Sequence, residues 1–207
     1  MSIKIAVQSK GRLRNPSISY LETLGLKFNL LTKKDRSYFA KCQNSPLTLV
    51  FLRDDDIPAI VASGLVDFGI IGLNEVLETL QQVEIIKNLN FAKCELVLAV
   101  PDTSEYQEAT SLKNTLQQAK IATSYPNLTK SFLQKNNIQA SIITLHGSVE
   151  IAPQIGLANA ISDLVQTGKT LKENKLKKIA TIVESQAVLI QSKQKTSAQQ
   201  EFLKKYL

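Results

Sequence analysis

Hydrophobic and polar positions along the chain switch repeatedly between a period of two and a helical period. Short aliphatic and β-branched runs predict strands at Ile3–Gln8, Leu47–Leu52, Phe68–Ile71, Glu95–Val100, Lys120–Thr123, Ile138–Thr144, Ala160–Leu164 and Ile179–Ile190. Helical spacing fills the gaps. One helix is expected after Asn15-Pro16, where proline suits a first turn, and another near Asp56, a candidate N-cap with Pro58 close behind. Asn127 to Asn136, Ser148 to Ile155 and a closing stretch from Ser197 to Tyr206 complete the set. Strands alternating with helices predict an α/β fold. Gly11, Gly69, Gly72, Gly147 and Gly168 fall at predicted strand-to-helix junctions, where open α/β sheets collect ligands. No internal repeat, low-complexity tract or Pro/Gly-rich linker divides the chain, so a two-lobed arrangement would need crossovers between sheets.

Composition narrows the class. A chain of 207 residues can build one large domain or two small ones, and 43% apolar with 21% charged residues is ordinary for a soluble protein. No apolar run approaches the roughly 20 residues a membrane span needs. The first residues run straight into a strand pattern rather than a signal peptide. Two distant cysteines and a single histidine supply neither a disulfide framework nor a metal-ligand spacing. Together these features predict a reduced, cytoplasmic protein without a membrane segment.

The net charge of +7 favours anionic partners. Most of it is lysine, the default surface cation. The four arginines, Arg12, Arg14, Arg36 and Arg53, all lie in the first quarter of the chain, against 21 lysines spread throughout. An arginine in a lysine-rich composition suits a site needing a planar fork for phosphate or carboxylate, or else an ion pair. Tryptophan is absent and tyrosine and phenylalanine do not alternate with cations, so nucleic acid is not an expected partner.

The most informative local segment is Asp163-Leu164-Val165-Gln166-Thr167-Gly168-Lys169-Thr170 at the end of a predicted strand. Gly168 lets the backbone approach a ligand, successive amides at a helix start favour an anion, and the hydroxyls of Thr167 and Thr170 add donors. Asp163 can accept from sugar hydroxyls beside the phosphate. The competing reading is a capped turn that binds nothing. A Walker A loop shares the Gly168-Lys169-Thr170 tail, but that motif needs a glycine where this chain has Asp163. Gln8-Ser9-Lys10-Gly11-Arg12-Leu13 after the first strand reads as a polyphosphate turn or an exposed basic loop. Arg53-Asp54-Asp55-Asp56 reads as a Mg²⁺ contact or, more simply, as acids at a helix start. His146 beside Gly147 reads as a polar loop residue rather than a general base. No Ser-His-Asp or CxxC arrangement exists.

The stretch from Glu150 to Leu171, with its spaced Glu150, Gly156, Asp163 and Thr167-Gly168-Lys169-Thr170-Leu171, resembles the signature of the ATP phosphoribosyltransferase family. Further family-like blocks follow in order: Lys10-Gly11-Arg12-Leu13, Arg53 with Asp56-Ile57-Pro58, Asp67-Phe68-Gly69-Ile70-Ile71-Gly72, Lys93-Cys94, Ala122 to Thr129, and Gly147-Ser148-Val149-Glu150. The chain departs from the pattern at Asn74, commonly Asp, and at His146, commonly Asn.

The resemblance implies two lobes of periplasmic-binding-protein type, residues 1–91 with 180–207 and residues 92–179, and an active site in the interlobe cleft. It implies transfer of phosphoribosyl from phosphoribosyl pyrophosphate to N1 of the adenine of ATP, the first step of histidine biosynthesis. Phosphoribosyl pyrophosphate is expected on Glu150, Asp163, Leu164, Val165, Gln166, Thr167, Gly168, Lys169 and Thr170. ATP is expected on Lys10, Gly11, Arg12, Asp67 and Gly72, and the leaving pyrophosphate on the catalytic candidates Arg36 and Arg53. Mg²⁺ is the implied cofactor, with no protein ligand assigned to it. The chain stops at Leu207, which fits the family's short form: no C-terminal regulatory domain, and a homodimer within a hetero-oligomer with a histidyl-tRNA-synthetase-like regulatory subunit. A solute-binding module of the same fold is the main alternative, because fold does not fix function.

Overall fold

The computed structural model describes residues 2–29, 37–103, 106 and 111–207. The chain divides into two units, Met1–Ala92 with Gln186–Leu207, and Lys93–Ser185. Among the described residues no helix is long and apolar enough to cross a membrane.

The first unit is built on strands β1 (Ile3–Gln8), β2 (Phe39–Lys41), β3 (Leu47–Leu52), β4 (Phe68–Gly72), β5 (Val83–Asn88) and β11 (Ala187–Ser192), in the order β2-β3-β1-β4-β11-β5. β1 runs parallel to β3 and to β4, while β11 is antiparallel to β4 and β5. β4 and β11 are buried at every position, which is why Phe68–Gly72 and the first four residues of β11 read as apolar runs rather than alternating ones. Helices α1 (Arg14–Thr23), α2 (Ile57–Ala62), α3 (Leu73–Thr79) and α7 (Ser197–Tyr206) belong to this unit. A capping box starts α7: Thr196 Oγ1 accepts from Gln199 N–H and Gln199 Oε1 accepts from Thr196 N–H. Phe202 then packs on Phe68 of β4 at 5.0 Å between ring centroids, fastening the C-terminal helix to the sheet.

The second unit carries β6 (Cys94–Pro101), β7 (Lys120–Thr123), β8 (Ser141–Thr144), β9 (Ala160–Val165) and β10 (Leu176–Ser185), in the order β10-β6-β9-β7-β8. Helices α4 (Leu112–Leu116), α5 (Pro126–Lys135) and α6 (Lys169–Glu173) and a 3₁₀ turn at Val149–Ile151 connect them. Two separate cores lie on the two faces of this sheet. Leu98, Ile121 and Ala160 face Leu116 and Leu133 from the helices α4 and α5. Their strand neighbours Val97, Ala122 and Ile161 face Val149, Ala152 and Leu171. Alternate residues of each strand thus feed opposite cores.

Several expectations change in detail. The single strand expected at 179–190 is two strands in different sheets. β10 stays paired with β6 as far as Ser185 opposite Cys94, and β11 then joins β4 and β5. The return crossing between units therefore falls at Ser185/Gln186, where the sequence reading set it near 180. β8 starts only at Ser141, because Ile138 is used to close α5, its N–H donating to Leu133 O at 3.0 Å. The helix expected from Ser148 to Ile155 shrinks to one 3₁₀ turn followed by turns through Pro153 and Gly156. Asp56 occupies the N-cap position of α2 without a capping hydrogen bond from its side chain. The edge strands β2 and β5 and the helix α3 escaped the pattern, since they are short or mostly polar.

Gly69 is not at a junction but inside β4. A Cβ there would meet Ile57 Cγ2 at 2.8 Å, Val61 Cγ2 at 3.0 Å and Ile190 Cγ1 at 3.1 Å, so the glycine lets α2 lie close on the sheet. Gly69→Ala is expected to cost about 1–3 kcal/mol by overpacking. Chemical denaturation measures it, and an unchanged midpoint would contradict this close packing.

Candidate active site

In the second unit β7, β8 and β9 are mutually parallel, so their carboxyl ends share one edge. The chain leaves β7 towards β8 on one side, then returns past β7 to β9 on the other. Two crossovers diverging from neighbouring strands open a crevice at their carboxyl ends, the place where open α/β sheets bind ligands. Thr123 opposite Ser162 is the last β7–β9 pair. Beyond it β7 turns into α5, while β9 continues as Asp163-Leu164-Val165 along β6.

Three turns meet at this edge. The first is Ser124-Tyr125, tied to the second by Ser124 Oγ donating to Leu145 O at 2.7 Å. The second runs through His146 and Gly147 to Ser148, which holds the left-handed backbone region at φ 49°. A non-glycine residue pays a backbone cost there, as Leu80, Asn90, Ala92, Gln118, Asn137 and Lys175 do elsewhere in the chain. Glu150 follows on the 3₁₀ turn. The third turn is Gln166-Thr167-Gly168, where Gly168 at φ 74° is the N-cap of α6. A Cβ on Gly168 would meet nothing within 4 Å, so the backbone here is open to approach.

Electrostatics single out Asp163. Its carboxyl pKa is pushed up to about 6, chiefly by burial, with the nearby Glu150 charge adding to the rise. Leu164 N–H donates to Asp163 Oδ1 at 2.8 Å and partly offsets this. A carboxylate desolvated beside a second acid is poised to accept hydrogen bonds from a ligand's hydroxyls. The anion side of the segment differs from expectation in one respect. α6 has only five residues, so its aligned dipole is small and any anion-binding capacity here rests on individual amides and hydroxyls. Lys169 Nζ pairs with Glu173 at 3.7 Å on an exposed surface, a contact easily exchanged for a ligand.

The first unit repeats the design. β1 connects to β3 on one side and the chain returns to β4 on the other. The turn Ser9-Lys10-Gly11-Arg12, the segment Arg53-Asp54 and the start of α3 at Gly72 therefore share one edge. Gln8 organises it. Its amide Nε2 donates to Asp54 Oδ2 at 3.0 Å, and its Oε1 accepts from Leu13 N–H at 2.9 Å. Gly11, at φ 103°, closes over this amide so tightly that a Cβ would sit 2.8 Å from Nε2. Arg12 Nη1 donates to Ala92 O at 3.2 Å. Arg53 is exposed and pairs with Asp55 at 3.5 Å. Gly72 meets the buried Asn74 side chain, with Asn74 Oδ1 only 2.5 Å from where a Cβ would stand.

The residues expected at the site thus fall into groups. Glu150 and the whole Asp163–Thr170 segment converge on the second unit's edge. Lys10, Gly11, Arg12, Arg53 and Gly72 share the first unit's edge. Asp67 is separate. It precedes β4 at the opposite end of the strand, where its Oδ2 accepts from Lys4 N–H at 2.8 Å and joins the two strand starts. Arg14 lies over the Phe51 ring at 5.0 Å. Arg36 lies outside the described residues. Sequence reasoning placed Gln8 at the head of the basic turn without seeing its organising role, and gave no role to the buried hydroxyls of Thr123, Thr129 and Ser162. A polar residue at a core-facing strand position was the available signal for Gln8 and Ser162.

A raised carboxyl pKa also has a stability consequence. Between about pH 4 and 6 the unfolded chain ionises Asp163 before the folded one does, so a penalty builds up and is complete above pH 6. Asp163→Asn is expected to raise the melting temperature of the ligand-free protein at pH 7.5, and the gain should vanish towards pH 4. A variant less stable than wild type at pH 7.5 would contradict this account.

Comparison with known proteins agrees with the geometry. The family model described as ATP phosphoribosyltransferase matches residues 53–207. ATP phosphoribosyltransferases of Bacteroides fragilis and Bacteroides thetaiotaomicron are each 42% identical over 205 residues, covering 99% of this chain and 70% of theirs. Among solved structures, the ATP phosphoribosyl transferase (HisG:HisZ) complex from Thermotoga maritima superposes with a TM-score of 0.79 at 27% identity, covering 99% of this chain and 96% of that one. The substrate binding protein of an amino acid ABC transporter superposes with a TM-score of 0.61 at 15% identity, covering 100% of this chain and 92% of that one, and shares the fold. The family match spanning most of the chain, relatives of this identity and the parallel-strand edge built around Asp163 and Gly168 lead to one conclusion: the chain belongs to the ATP phosphoribosyltransferase family.

Proposed function

We propose that this chain catalyses the first step of histidine biosynthesis, joining phosphoribosyl pyrophosphate to N1 of the adenine of ATP with release of pyrophosphate. The family membership supports the activity. The observation that carries the site assignment is the desolvated Asp163 at the mouth of the β7/β9 crevice, next to the open Gly168 turn. Amides and hydroxyls of Thr167, Gly168, Lys169 and Thr170 hold the 5-phosphate, with Leu164, Val165 and Gln166 supplying the strand end that leads into them. Asp163 and Glu150 accept from the ribose hydroxyls. Lys10, Gly11 and Arg12 hold the ATP phosphates, with Gly72 shaping the same edge, and Arg53 takes up charge on the leaving pyrophosphate. Asp67 is not retained in this reading, because its carboxylate joins two strand starts away from that edge.

The reaction needs no protein nucleophile. The adenine nitrogen attacks the anomeric carbon as the bond to pyrophosphate breaks, so the chain's work is orientation and stabilisation of separating charge. Carboxylates at the ribose hydroxyls hold the sugar in place and favour the positive charge that develops on its ring. A divalent cation, which we take to be Mg²⁺, supplies charge neutralisation on the pyrophosphate when bound. Among the described residues no three or more His, Cys, Asp or Glu gather as a self-contained metal site. Glu150 and Asp163 offer two carboxylates, which suits an ion held mainly by substrate phosphates. The chain is further proposed to act in the cytoplasm, as a dimer within a hetero-oligomer. The Thermotoga maritima structure, a HisG:HisZ complex, supports a second, regulatory subunit, which we take to resemble histidyl-tRNA synthetase.

The test mixes the purified chain, with and without the regulatory subunit from the same cell, with ATP, phosphoribosyl pyrophosphate and Mg²⁺ and follows pyrophosphate. Release dependent on both substrates is expected; none under either condition rejects the activity. Asp163→Asn should raise KM for phosphoribosyl pyrophosphate by roughly 10–100-fold, as loss of a hydrogen bond to a charged group does. In wild type the same KM should fall as pH rises through about 6, because the ionised carboxylate is the better acceptor. A pH-independent KM would remove Asp163 from the ribose.

A further inference from the structure

The second unit holds a polar cluster that the proposed chemistry leaves unused. Thr123, Thr129 and Ser162 are each 0% exposed. Thr129, in the first turn of α5, donates from Oγ1 to Ser162 Oγ at 2.9 Å and lies 3.5 Å from Thr123 Oγ1. Thr123 Oγ1 in turn accepts from Tyr125 N–H at 2.9 Å. The three hydroxyls join three elements: the end of β7, the start of α5 and β9.

Their position matters more than their burial. Thr123 and Ser162 are the last residues paired between β7 and β9. The cluster therefore stands at the point where the strands part, and the next residue on β9 is Asp163. Strand alternation turns Ser162 towards α5 and Asp163 towards the 3₁₀ turn carrying Glu150. A buried hydroxyl network is directional and has one satisfied arrangement, whereas an apolar cluster at this place would let the strands slide. We infer that Thr129 is a positioning residue: its hydroxyl locks the fork between β7 and β9 and so sets where Asp163 meets the ribose. This rests on the reading of Asp163 given above.

The discriminating pair is Thr129→Val, which keeps the shape and removes the hydroxyl, and Thr129→Ser, which keeps the hydroxyl and removes a methyl group. Steady-state kinetics of the complete enzyme, with its regulatory subunit, are measured beside thermal melts. Thr129→Val is expected to raise KM for phosphoribosyl pyrophosphate roughly tenfold, as a lost partner in a buried network does, with KM for ATP within about twofold of wild type. Thr129→Ser should restore the KM even where its melting temperature is lower. Hydrogen exchange should be faster in Thr129→Val at residues 123–125 and 163–168 only. A Thr129→Val enzyme that is less stable but keeps the wild-type KM overturns the inference, and so does a Thr129→Ser enzyme equally impaired. Should Thr129→Val fail to fold, Ser162→Ala, which removes the acceptor instead, is read by the same KM criterion. An Asp163→Asn enzyme with the wild-type KM for phosphoribosyl pyrophosphate rejects the assignment of Asp163 itself, a distinguishable result.

Discussion

β7 pairs in parallel with β8 on one side and with β9 on the other, and everything proposed for the second unit follows from that arrangement. Because right-twisted strands make right-handed crossovers, connections leaving in opposite directions must cover opposite faces of the sheet. The two separate apolar cores are the packing result of this rule. The crevice at the carboxyl ends is its geometric residue, since neither crossover can cover it. The first unit obeys the same rule around β1, β3 and β4, with the Gln8 amide in place of the hydroxyl cluster.

The edges so created are locally unfavourable, and the favourable packing elsewhere tolerates them. Asp163 is desolvated beside Glu150, and Ser148 sits in a left-handed conformation. Under the proposed function, a polyhydroxylated, phosphorylated ligand would offset the first of these costs by hydrogen-bonding the carboxylates. Small residues do complementary work. Gly11 and Gly168 let backbone approach where a side chain would obstruct or strain it, whereas Gly69 serves only packing.

Much of this was legible in the sequence. Central strands such as Phe68–Gly72 announced themselves because burial on both faces demands unbroken apolar runs. The Asp163–Thr170 segment drew attention through its acid, hydroxyls and glycine at a strand end, a pattern that a capped turn also satisfies; its likeness to the family signature is what favoured a site. What stayed hidden depends on contacts distant in the chain. The break at Gln186 between β10 and β11 looks like one long strand, since the sheet a residue joins is decided by partners far away in the chain, Cys94 for Ser185 and Gly72 for Ala187. Asp67 was expected at the ATP site from the family-like block it opens; register places it at the other end of β4. Thr129 looked like an ordinary polar helix residue, and only the fold brings Ser162 to it.

In the proposed reading the β7/β9 fork and the Gly168 turn form the phosphoribosyl site. The decisive measurement is a titration of the isotopically labelled chain with phosphoribosyl pyrophosphate and Mg²⁺, followed by amide chemical shifts. Saturable shifts are expected at Asp163, Leu164 and the Thr167–Thr170 turn, with weaker ones at Ser148 and Glu150. Saturable shifts that spare those residues and gather elsewhere would contradict that reading.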